Sequence, residues 1–270
     1  MNISFIGGGN MASALIGGLV AQGFDASHIR VVDVSPETRE ALQARYPVQT
    51  YSAIDANAVA SEVIVLAVKP QQLREVASTL TPLLRQQLVI SIAAGVRAAD
   101  LSRWLGGYRQ LVRSMPNTPA MVSAGMSGLY ALPEVEQFQR NQAETVLQAV
   151  GMTLWLDDEK QMDGITAVSG SGPAYVFYFM EAMQAAAEEL GFSPQQARKL
   201  TRQTFLGAAQ LASHSEEDAA TLRSRVTSKG GTTERALGAM EESSVKPAII
   251  QAIHAAAERS RELGDALGKE

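Results

Sequence analysis

Residues 3–19 read ISFIGGGNMASALIGGL, an apolar run that three glycines interrupt before a helical pattern begins. Gly7, Gly9 and Ala12 form a Gly-x-Gly-x-x-Ala pattern between a predicted first strand and a predicted first helix. In this pattern the first glycine permits a tight turn, the second lets backbone approach a pyrophosphate, and the small third residue allows close helix packing. Phosphates also bind well at a helix N-terminus. The stretch therefore predicts a dinucleotide-binding unit, and the alternative is a glycine-rich turn without a ligand.

Short β-rich runs alternate with helical patterns through the first part of the chain. The predicted strands are Ile3–Ile6, Ile29–Asp33, Val48–Tyr51, Val63–Val68, Leu88–Ala93, Leu111–Met115 and Met152–Leu156. Two of them, VIVLAV and LVISIA, are apolar throughout, as strands buried on both faces of a parallel sheet should be. This alternation predicts the α/β class, with a Rossmann-type, doubly wound and mostly parallel sheet in residues 1–162.

After Asp163 the strand pattern stops, and the sequence predicts an all-helical second domain in residues 163–270. Its predicted helices are Pro173–Leu190, Pro194–Ala212, Ala219–Val226, Thr232–Glu241 and Val245–Leu267. The first of them begins PAYVFYFMEAM and is apolar nearly all round. A helix of this kind must be buried on every side. The burial lies either in a core or between subunits, and in a domain this small we expect it to lie between subunits.

Composition limits the kinds of partner. The chain has 270 residues, a net charge of −5 and no cysteine. This charge balance gives no reason to expect nucleic acid or an acidic membrane as a partner. Without cysteine there are no disulfides, no thiolate catalysis and no Cys-ligated metals, which fits a reducing cytoplasm. The three histidines, His28, His214 and His254, lack ligand spacing, so no metal site is expected.

The N-terminal stretch Met1–Phe24 carries no charged side chain and could be mistaken for an export signal or a membrane span. It has no basic start, and the glycines interrupt its apolar run after a few residues. We therefore expect neither export nor a membrane anchor.

The carboxyl ends of the strands are the expected cofactor site, since ligands of open α/β sheets bind there. The candidates at these ends are Asp33, Ser35, Ala67, Lys69, Pro70, Ala93, Ala94, Gly95 and Asn117. An acidic residue at the position of Asp33 usually bonds the adenine ribose and favours NADH over NADPH. Against this, Ser35, Thr38 and Arg39 could receive a 2′-phosphate, or Ser35 could simply cap the next helix. The cofactor is thus NADPH or NADH, and the sequence leaves the choice open.

A second candidate site is the stretch VTSKGGTTERAL, residues 226–237. Two glycines and four hydroxyl side chains precede or open a predicted helix there, and such an N-terminus can bind a carboxylate or a phosphate. The alternative is an ordinary helix cap made by Thr232 or Thr233. A similar Ser/Gly run from Ser169 to Gly172 is interpreted as the cap of the helix that starts near Pro173.

Taken together, these motifs resemble those of the pyrroline-5-carboxylate reductases, over essentially the whole chain. The matching motifs, in order, are FIGGGNMASALIGGL, LAVKPQ, SIAAGV, RSMPNTPA, VSGSGPAYVF and VTSKGGTTERAL. The resemblance implies that NADPH or NADH reduces 1-pyrroline-5-carboxylate to L-proline, the last step of proline biosynthesis. It further implies a cytoplasmic enzyme whose helical domains interlock into homodimers, which in this family commonly assemble into decamers.

The resemblance also assigns roles to residues. The residues implied to hold the pyrophosphate are Gly7, Gly9, Asn10 and Met11, and those implied to flank the ribose and nicotinamide are Ala67, Lys69, Pro70, Ala93, Ala94 and Gly95. The cyclic imine carboxylate would be received by Ser228, Gly230, Gly231, Thr232 and Thr233, with Ser169 as a further candidate. Thr233 is the candidate for the hydrogen bond to the imine nitrogen. In the family the cofactor and substrate segments come from two chains of the dimer.

Two positions depart from the family pattern. Lys229 stands where many members have proline, and Asp33-Val34 lacks a basic residue at the usual 2′-phosphate position. The first departure removes a φ restraint from the loop, and the second means that a preference for NADPH does not follow from the resemblance.

Two other functions are weighed against this one. A β-hydroxyacid dehydrogenase would need a general acid or base, typically a lysine on a helix of the second domain, but the chain has no lysine between Gly172 and Lys199. A non-catalytic dinucleotide sensor would have no reason to keep a second anion site.

Overall fold

The computed structural model describes residues 1–269 and divides into two compact units. One unit comprises Met1–Ser171 together with the chain from Ala256 onward, and the other comprises Gly172–Ala255. Residue 270, which ends the predicted second domain, lies outside the described residues.

The first unit is built on an eight-stranded sheet in the order β3-β2-β1-β4-β5-β6-β7-β8. Its strands are β1 Ile3–Ile6, β2 Ile29–Val32, β3 Gln49–Tyr51, β4 Val63–Leu66, β5 Leu88–Ser91, β6 Leu111–Met115, β7 Gly125–Ala131 and β8 Gly151–Trp155. The first six strands are mutually parallel, whereas β7 runs antiparallel to β6 and β8 runs parallel to β7. The predicted doubly wound, mostly parallel sheet is confirmed.

Strand β7 is the one strand that the sequence analysis missed. It reads GMSGLYA, and glycines weaken the strand signal. Both glycines are needed by their neighbours: a Cβ at Gly125 would lie 2.9 Å from the Val150 oxygen, and one at Gly128 would lie 2.8 Å from Ile165. The small residues that hide the strand are thus the ones that let β8 and the helix after it pack closely.

Eleven α-helices occur in the described residues. They are α1 Asn10–Ala21, α2 Pro36–Arg45, α3 Leu73–Leu80, α4 Ala98–Trp104, α5 Gln137–Gln148, α6 Gln161–Ile165, α7 Gly172–Glu189, α8 Pro194–Ser213, α9 Ala219–Arg225, α10 Thr232–Glu242 and α11 Val245–Lys269. The five helices predicted after Asp163 are confirmed as α7 to α11.

The Ser/Gly run before α7 does not form the helix cap that the sequence predicted. Ser169 and Gly170 belong to a π-helical turn, Thr166–Gly170, which continues directly from α6. The Ser171 N–H donates to the Thr166 oxygen at 2.8 Å and closes this wide turn. Such turns are rare and often lie at functional sites.

Two apolar cores cover the two faces of the sheet. Helices α1 and α5 contribute to one core, which includes Leu15, Ile90 and Val146. Helices α3 and α4 contribute to the other, which includes Leu80 and Leu101. Because both faces are covered, the central strands are buried on both sides, as their continuous apolar sequences predicted.

The second unit, described by itself, is helical and poorly buried. Within Gly172–Ala255 the buried residues are Ala197 and Thr201. On α7, Phe177 is 59% exposed and Tyr178 is 72% exposed, although the helix is strongly apolar. Apolar surface of this extent marks an interaction site.

No helix in residues 1–269 is both long enough and apolar enough to span a membrane.

Close helix packing in the first unit predicts a stability effect. A Cβ at Gly18 of α1 would lie 2.3 Å from the Ala149 oxygen, whereas one at Gly164 of α6 would meet nothing within 4 Å. Gly18→Ala is therefore expected to destabilise the fold by about 1–3 kcal/mol through overpacking. Gly164→Ala is the matched control and should stabilise slightly, since alanine is the better helix former by about 0.5–1 kcal/mol. Urea unfolding of both variants checks this, and an equal response of the two would contradict it.

Candidate functional site

The glycine-rich turn after β1 has no room for a side chain at Gly7. Gly7 has a φ of +102°, and a Cβ there would lie 2.7 Å from the Ala67 carbonyl oxygen. Its N–H donates to the Val32 oxygen at 2.8 Å. The backbone of Gly7 thus fits between the ends of β2 and β4, and the chain turns directly into α1.

The N-terminus of α1 is open. Gly9 is the N-cap residue, and no side chain accepts a hydrogen bond from the first turn. A Cβ at Gly9 would meet no heavy atom within 4 Å. The first N–H groups of a helix, here those of Asn10 and Met11, lack intrahelical partners. Open donors beside an unfilled space at a helix N-terminus fit the pyrophosphate of a dinucleotide.

Asp33 ties the glycine-rich turn to the end of β2. Its Oδ2 accepts from the Gly8 N–H at 2.8 Å, and its Oδ1 accepts from the Ser35 N–H at 2.9 Å. Each carboxylate oxygen has a second lone-pair site, so the predicted bonds to ribose hydroxyls stay possible. Asp33 therefore has a structural role in holding the turn, in addition to its predicted role toward a cofactor.

The side chain of Ser35 caps α2, as one of the two interpretations predicted. Its Oγ accepts from the Thr38 N–H at 3.1 Å and donates to Glu37 Oε2 at 2.7 Å. This hydrogen bond from Ser35 holds the pKa of Glu37 below its ordinary value, so Glu37 is ionised at neutral pH. Arg39 donates to the backbone oxygens of Asp33 at 2.6 Å and Val34 at 3.1 Å.

A cleft of about 510 Å³ lies at the carboxyl ends of β1, β2 and β4. Among the predicted residues it is lined by Gly7, Gly9, Asp33, Ala67 and Lys69. Pro70 begins a short 3-10 turn, Pro70–Gln72, beside it.

Several other residues that line this cleft were not predicted as site residues, among them Val34 and Ile54. Val34 is 82% exposed, which is unusual for an apolar side chain at a polar turn. The sequence signal for this position was an apolar residue directly after Asp33. No motif marks Ile54, which reaches the cleft from the loop after β3.

The loop after β5 holds Ala93, Ala94 and Gly95. Ala93 and Gly95 are buried, and Ala94 is exposed. Gly95 packs against α11, where a Cβ would lie 3.1 Å from the Leu267 side chain. Of the three predicted residues, Ala94 is thus the one that can present its side chain to a ligand.

Asn117 and Ser169 were predicted as separate site residues, and the structure brings them together. Asn117 Nδ2 donates to the Ser169 backbone oxygen at 3.1 Å and lies 3.2 Å from its hydroxyl. Asn117 Oδ1 accepts from the Met126 N–H at 2.9 Å. The Asn117 amide therefore joins the end of β6, the start of β7 and the π-turn.

The second candidate site, in the helical unit, contains a tight turn. The Gly231 N–H donates to the Ser228 oxygen at 3.0 Å, and Gly230 has a φ of +73°. Lys229 has a negative φ, since the non-glycine residues with positive φ in residues 1–269 are Ser123 and Ser244. This combination defines a type II turn, in which the position of Lys229 favours proline.

The alternative interpretation of this stretch, a cap of α10 made by Thr232 or Thr233, is wrong. Both threonines lie inside the helix, Gly231 is the N-cap residue, and no side chain caps the end. Instead, Glu234 Oε2 accepts from the Gly230 N–H at 2.6 Å and holds the turn from within the helix. The N–H groups of Thr232 and Thr233, in the first turn, have no intrahelical partner and can donate to an anion.

Metal-binding geometry does not occur around these loops. Among the residues that the structure describes, no three histidine, aspartate or glutamate side chains converge as a metal cluster. His28 lies on the surface, with Nδ1 at 2.9 Å from Asn2 Oδ1.

Two family models match the chain. One, described as NADP oxidoreductase coenzyme F420-dependent, matches residues 2–95. The other, described as pyrroline-5-carboxylate reductase dimerisation, matches residues 159–263. The second match covers all of the poorly buried helical unit, Gly172–Ala255.

Individual relatives match over nearly the full length. A pyrroline-5-carboxylate reductase of Pseudomonas aeruginosa is 50% identical over 269 residues, which span 99% of this chain and 98% of the relative. The solved structure of a pyrroline-5-carboxylate reductase from Coxiella burnetii is 44% identical, with a TM-score of 0.93 over 97% of this chain and 98% of that one. A Plasmodium falciparum pyrroline carboxylate reductase, solved with NADP bound, is 27% identical, with a TM-score of 0.86 over 98% of both chains. The fold and these full-length similarities together show that the chain belongs to the pyrroline-5-carboxylate reductase family.

Proposed function

We propose that this chain reduces 1-pyrroline-5-carboxylate to L-proline with NADPH or NADH, the last step of proline biosynthesis. The observation that carries the proposal is the pair of glycine-capped helix N-termini, those of α1 and α10. The first fits the pyrophosphate of a dinucleotide, and the second fits the carboxylate of a small substrate. Membership of the reductase family gives these two anion sites their ligands.

On the cofactor side, the residues act mainly through backbone and shape. The N–H groups of Asn10 and Met11 bind the pyrophosphate next to Gly7 and Gly9, and Asp33 bonds the adenine ribose. The exposed Val34 offers an apolar surface to the adenine ring. Ser35 lies at the adenosine end of the cofactor. The ribose and nicotinamide half is surrounded by the strand-end residues Ala67, Lys69, Pro70, Ala93, Ala94, Gly95 and Asn117. When bound, the nicotinamide supplies the hydride.

The cofactor is NADPH or NADH. A relative solved with NADP bound supports NADPH. The carboxylates of Asp33 and the ionised Glu37 lie where a 2′-phosphate would be repelled, which supports NADH. Parallel rate measurements with the two cofactors decide between these opposing effects.

On the substrate side, the carboxylate accepts hydrogen bonds from the N–H groups of Thr232 and Thr233. Gly230 and Gly231 let it approach the backbone, and the hydroxyl groups of Ser228 and, from the π-turn, Ser169 line the site. The nitrogen is protonated when the hydride reaches the imine carbon, so the amine forms without a negative charge, and the Thr233 hydroxyl oxygen accepts a hydrogen bond from this N–H. The N-terminal dipole of α10 favours the substrate anion, and the bond from Gly230 to Glu234 keeps the turn in place.

The division of labour follows the two sequence regions. Residues 1–162 bind the dinucleotide, and residues 163–270 dimerise and bind the substrate, with further assembly to a decamer. The exposed apolar face of α7 is the surface that the dimer buries. In the dimer, the cofactor loops of one chain and the α10 loop of its partner complete one site. The enzyme works in the cytoplasm, as the family resemblance implies.

The alternative dehydrogenase and the sensor make different demands on the chain. Helix α7 carries no lysine for the acid–base role of a β-hydroxyacid dehydrogenase. A sensor would not need an uncapped α10 N-terminus.

The first prediction concerns the reaction itself. Purified protein should oxidise NADPH or NADH only when pyrroline-5-carboxylate is present, and steady-state rates with each cofactor measure the preference. Binding of cofactor without any oxidation would favour the sensor, and turnover with a 3-hydroxy acid instead would favour the dehydrogenase.

The second prediction concerns Thr233. Thr233→Ala should lower kcat by about a hundredfold, since it removes the proposed hydrogen-bond partner of the imine nitrogen. Thr233→Ser, which keeps the hydroxyl, should retain most of the activity. Cofactor affinity, measured by fluorescence titration, should be unchanged in both variants. Full activity of Thr233→Ala would remove this residue from the mechanism.

The third prediction concerns Lys229, which occupies the second position of a type II turn. Lys229→Pro should fold and be more stable by about 0.4–1 kcal/mol, because proline restricts the unfolded chain and suits this position. The KM for the substrate should stay within about twofold, since the turn is set by Gly230 and not by the lysine charge. Lys229→Ala is the control that removes the charge without restricting φ. A raised KM in both variants would show instead that the lysine attracts the substrate anion.

A further inference from the structure

The last turns of α11 lie directly against the loop between β5 and α4. Gly264 is buried, and a Cβ there would lie 3.2 Å from the Gly95 oxygen and 3.3 Å from Arg97 Nε. In the other direction, a Cβ at Gly95 would lie 3.1 Å from the Leu267 side chain. The two segments approach this closely because neither Gly95 nor Gly264 carries a side chain.

Polar contacts fix the same segments to each other. Arg97 Nη2 lies 2.6 Å from Asp265 Oδ1. Arg103 of α4 donates to the Gly268 oxygen at 2.7 Å. The last carbonyl groups of a helix carry partial negative charge, so a guanidinium is favourable at this end of α11.

The opposite side of the loop is also held. Glu159 Oε1 accepts from the Ala98 N–H, the first of α4, at 2.6 Å, and from the buried Arg113 at 2.9 Å. Nearby, the buried Ser260 of α11 donates to Asp163 Oδ1 at 2.7 Å. Glu159 therefore fixes the end of the loop, and Asp163 fixes α11 beside it.

This arrangement leaves the loop one exposed position. Of residues 93–96, Ala94 alone is exposed, whereas the other three are buried. Since protein interiors are close-packed and transmit strain, a shift of α11 toward the loop must move the loop as well.

We propose that the end of α11 is a positioning element for the cofactor, with Gly264 as the residue that sets the position of the Ala93–Arg97 loop. Gly264 does not touch the cofactor and acts through the Gly95 carbonyl. The inference rests on the proposed function, in which this loop flanks the nicotinamide and its ribose. The proposal means that the affinity for the cofactor depends on the last turns of α11.

The test is a substitution that places a side chain of α11 against the backbone of the loop. Gly264→Val should weaken NADPH binding by about tenfold, because the branched side chain cannot fit against the Gly95 oxygen without moving it. Gly264→Ala should weaken binding less, and it keeps the test available if the valine variant does not fold. NADPH fluorescence titration without substrate gives the Kd, and steady-state kinetics give the KM for the imine, which should stay within about twofold because the α10 loop is untouched.

Two controls separate positioning from general damage. Ala266→Val adds the same β-branched residue at an exposed position of α11 and should leave the Kd for NADPH unchanged. Leu147→Ala removes a fully buried side chain of α5, far along the sequence from the loop, and should lower Tm without changing this Kd.

The outcomes are distinct. The proposal is overturned if the folded Gly264 variants bind NADPH within twofold of the parent, or if either control weakens binding equally. A parent protein that binds NADPH but never oxidises it with the imine overturns the proposed function instead, and the Kd comparison still tests the role of Gly264.

Discussion

The rest of the first unit depends on the fit of one backbone segment, that of Gly7, between two neighbouring strand ends. Its N–H is bonded to the end of β2, and a Cβ would collide with the Ala67 carbonyl at the end of β4. Because the chain can turn here without a side chain, α1 starts immediately and presents its first N–H groups above the sheet. Asp33 then fixes the turn through the Gly8 N–H. A cleft at the point where the strand order reverses, the proposed cofactor site, follows from this packing.

The helices differ in how their N-termini are capped. Ser35, Ser193 and Asp218 cap α2, α8 and α9 with their own side chains. A side-chain cap occupies an N–H group that an anion could otherwise use. Helices α1 and α10 begin instead at glycines without a side-chain cap. The chain thus keeps the donors open at the starts of α1 and α10, where the FIGGGNMASALIGGL and VTSKGGTTERAL motifs lie. At α10 the turn is stabilised by Glu234, which bonds the Gly230 N–H and leaves the helix N–H groups available.

The helical unit exposes more large apolar side chains than it buries within one chain. Its helices expose large apolar side chains such as Phe177 and Tyr178, and few of its residues are buried within one chain. A unit of this kind does not have a sufficient core alone, so its stability is linked to the concentration of its partner. The match of residues 159–263 to the family's dimerisation model agrees with this reading. The same unit carries the α10 loop, so the proposed substrate binding and the assembly involve one set of helices.

Local sequence patterns determined the alternation of strands and helices, the glycine-rich turn, the helical second half and the two loops that the family resemblance identifies. These features depend on residues close together in the chain, where periodicity, glycines and prolines act directly. The tertiary structure decided the rest. It decided that the Gly-rich β7 is a strand, that Asn117 bonds Ser169, and that Glu159 caps α4. It also placed α11 against Gly95, and Glu234 rather than a threonine at the α10 turn. With the exception of the bond from Gly230 to Glu234, which joins residues four apart, these contacts join segments far apart in the chain. Such contacts depend on which surfaces meet after packing, and no local pattern records that.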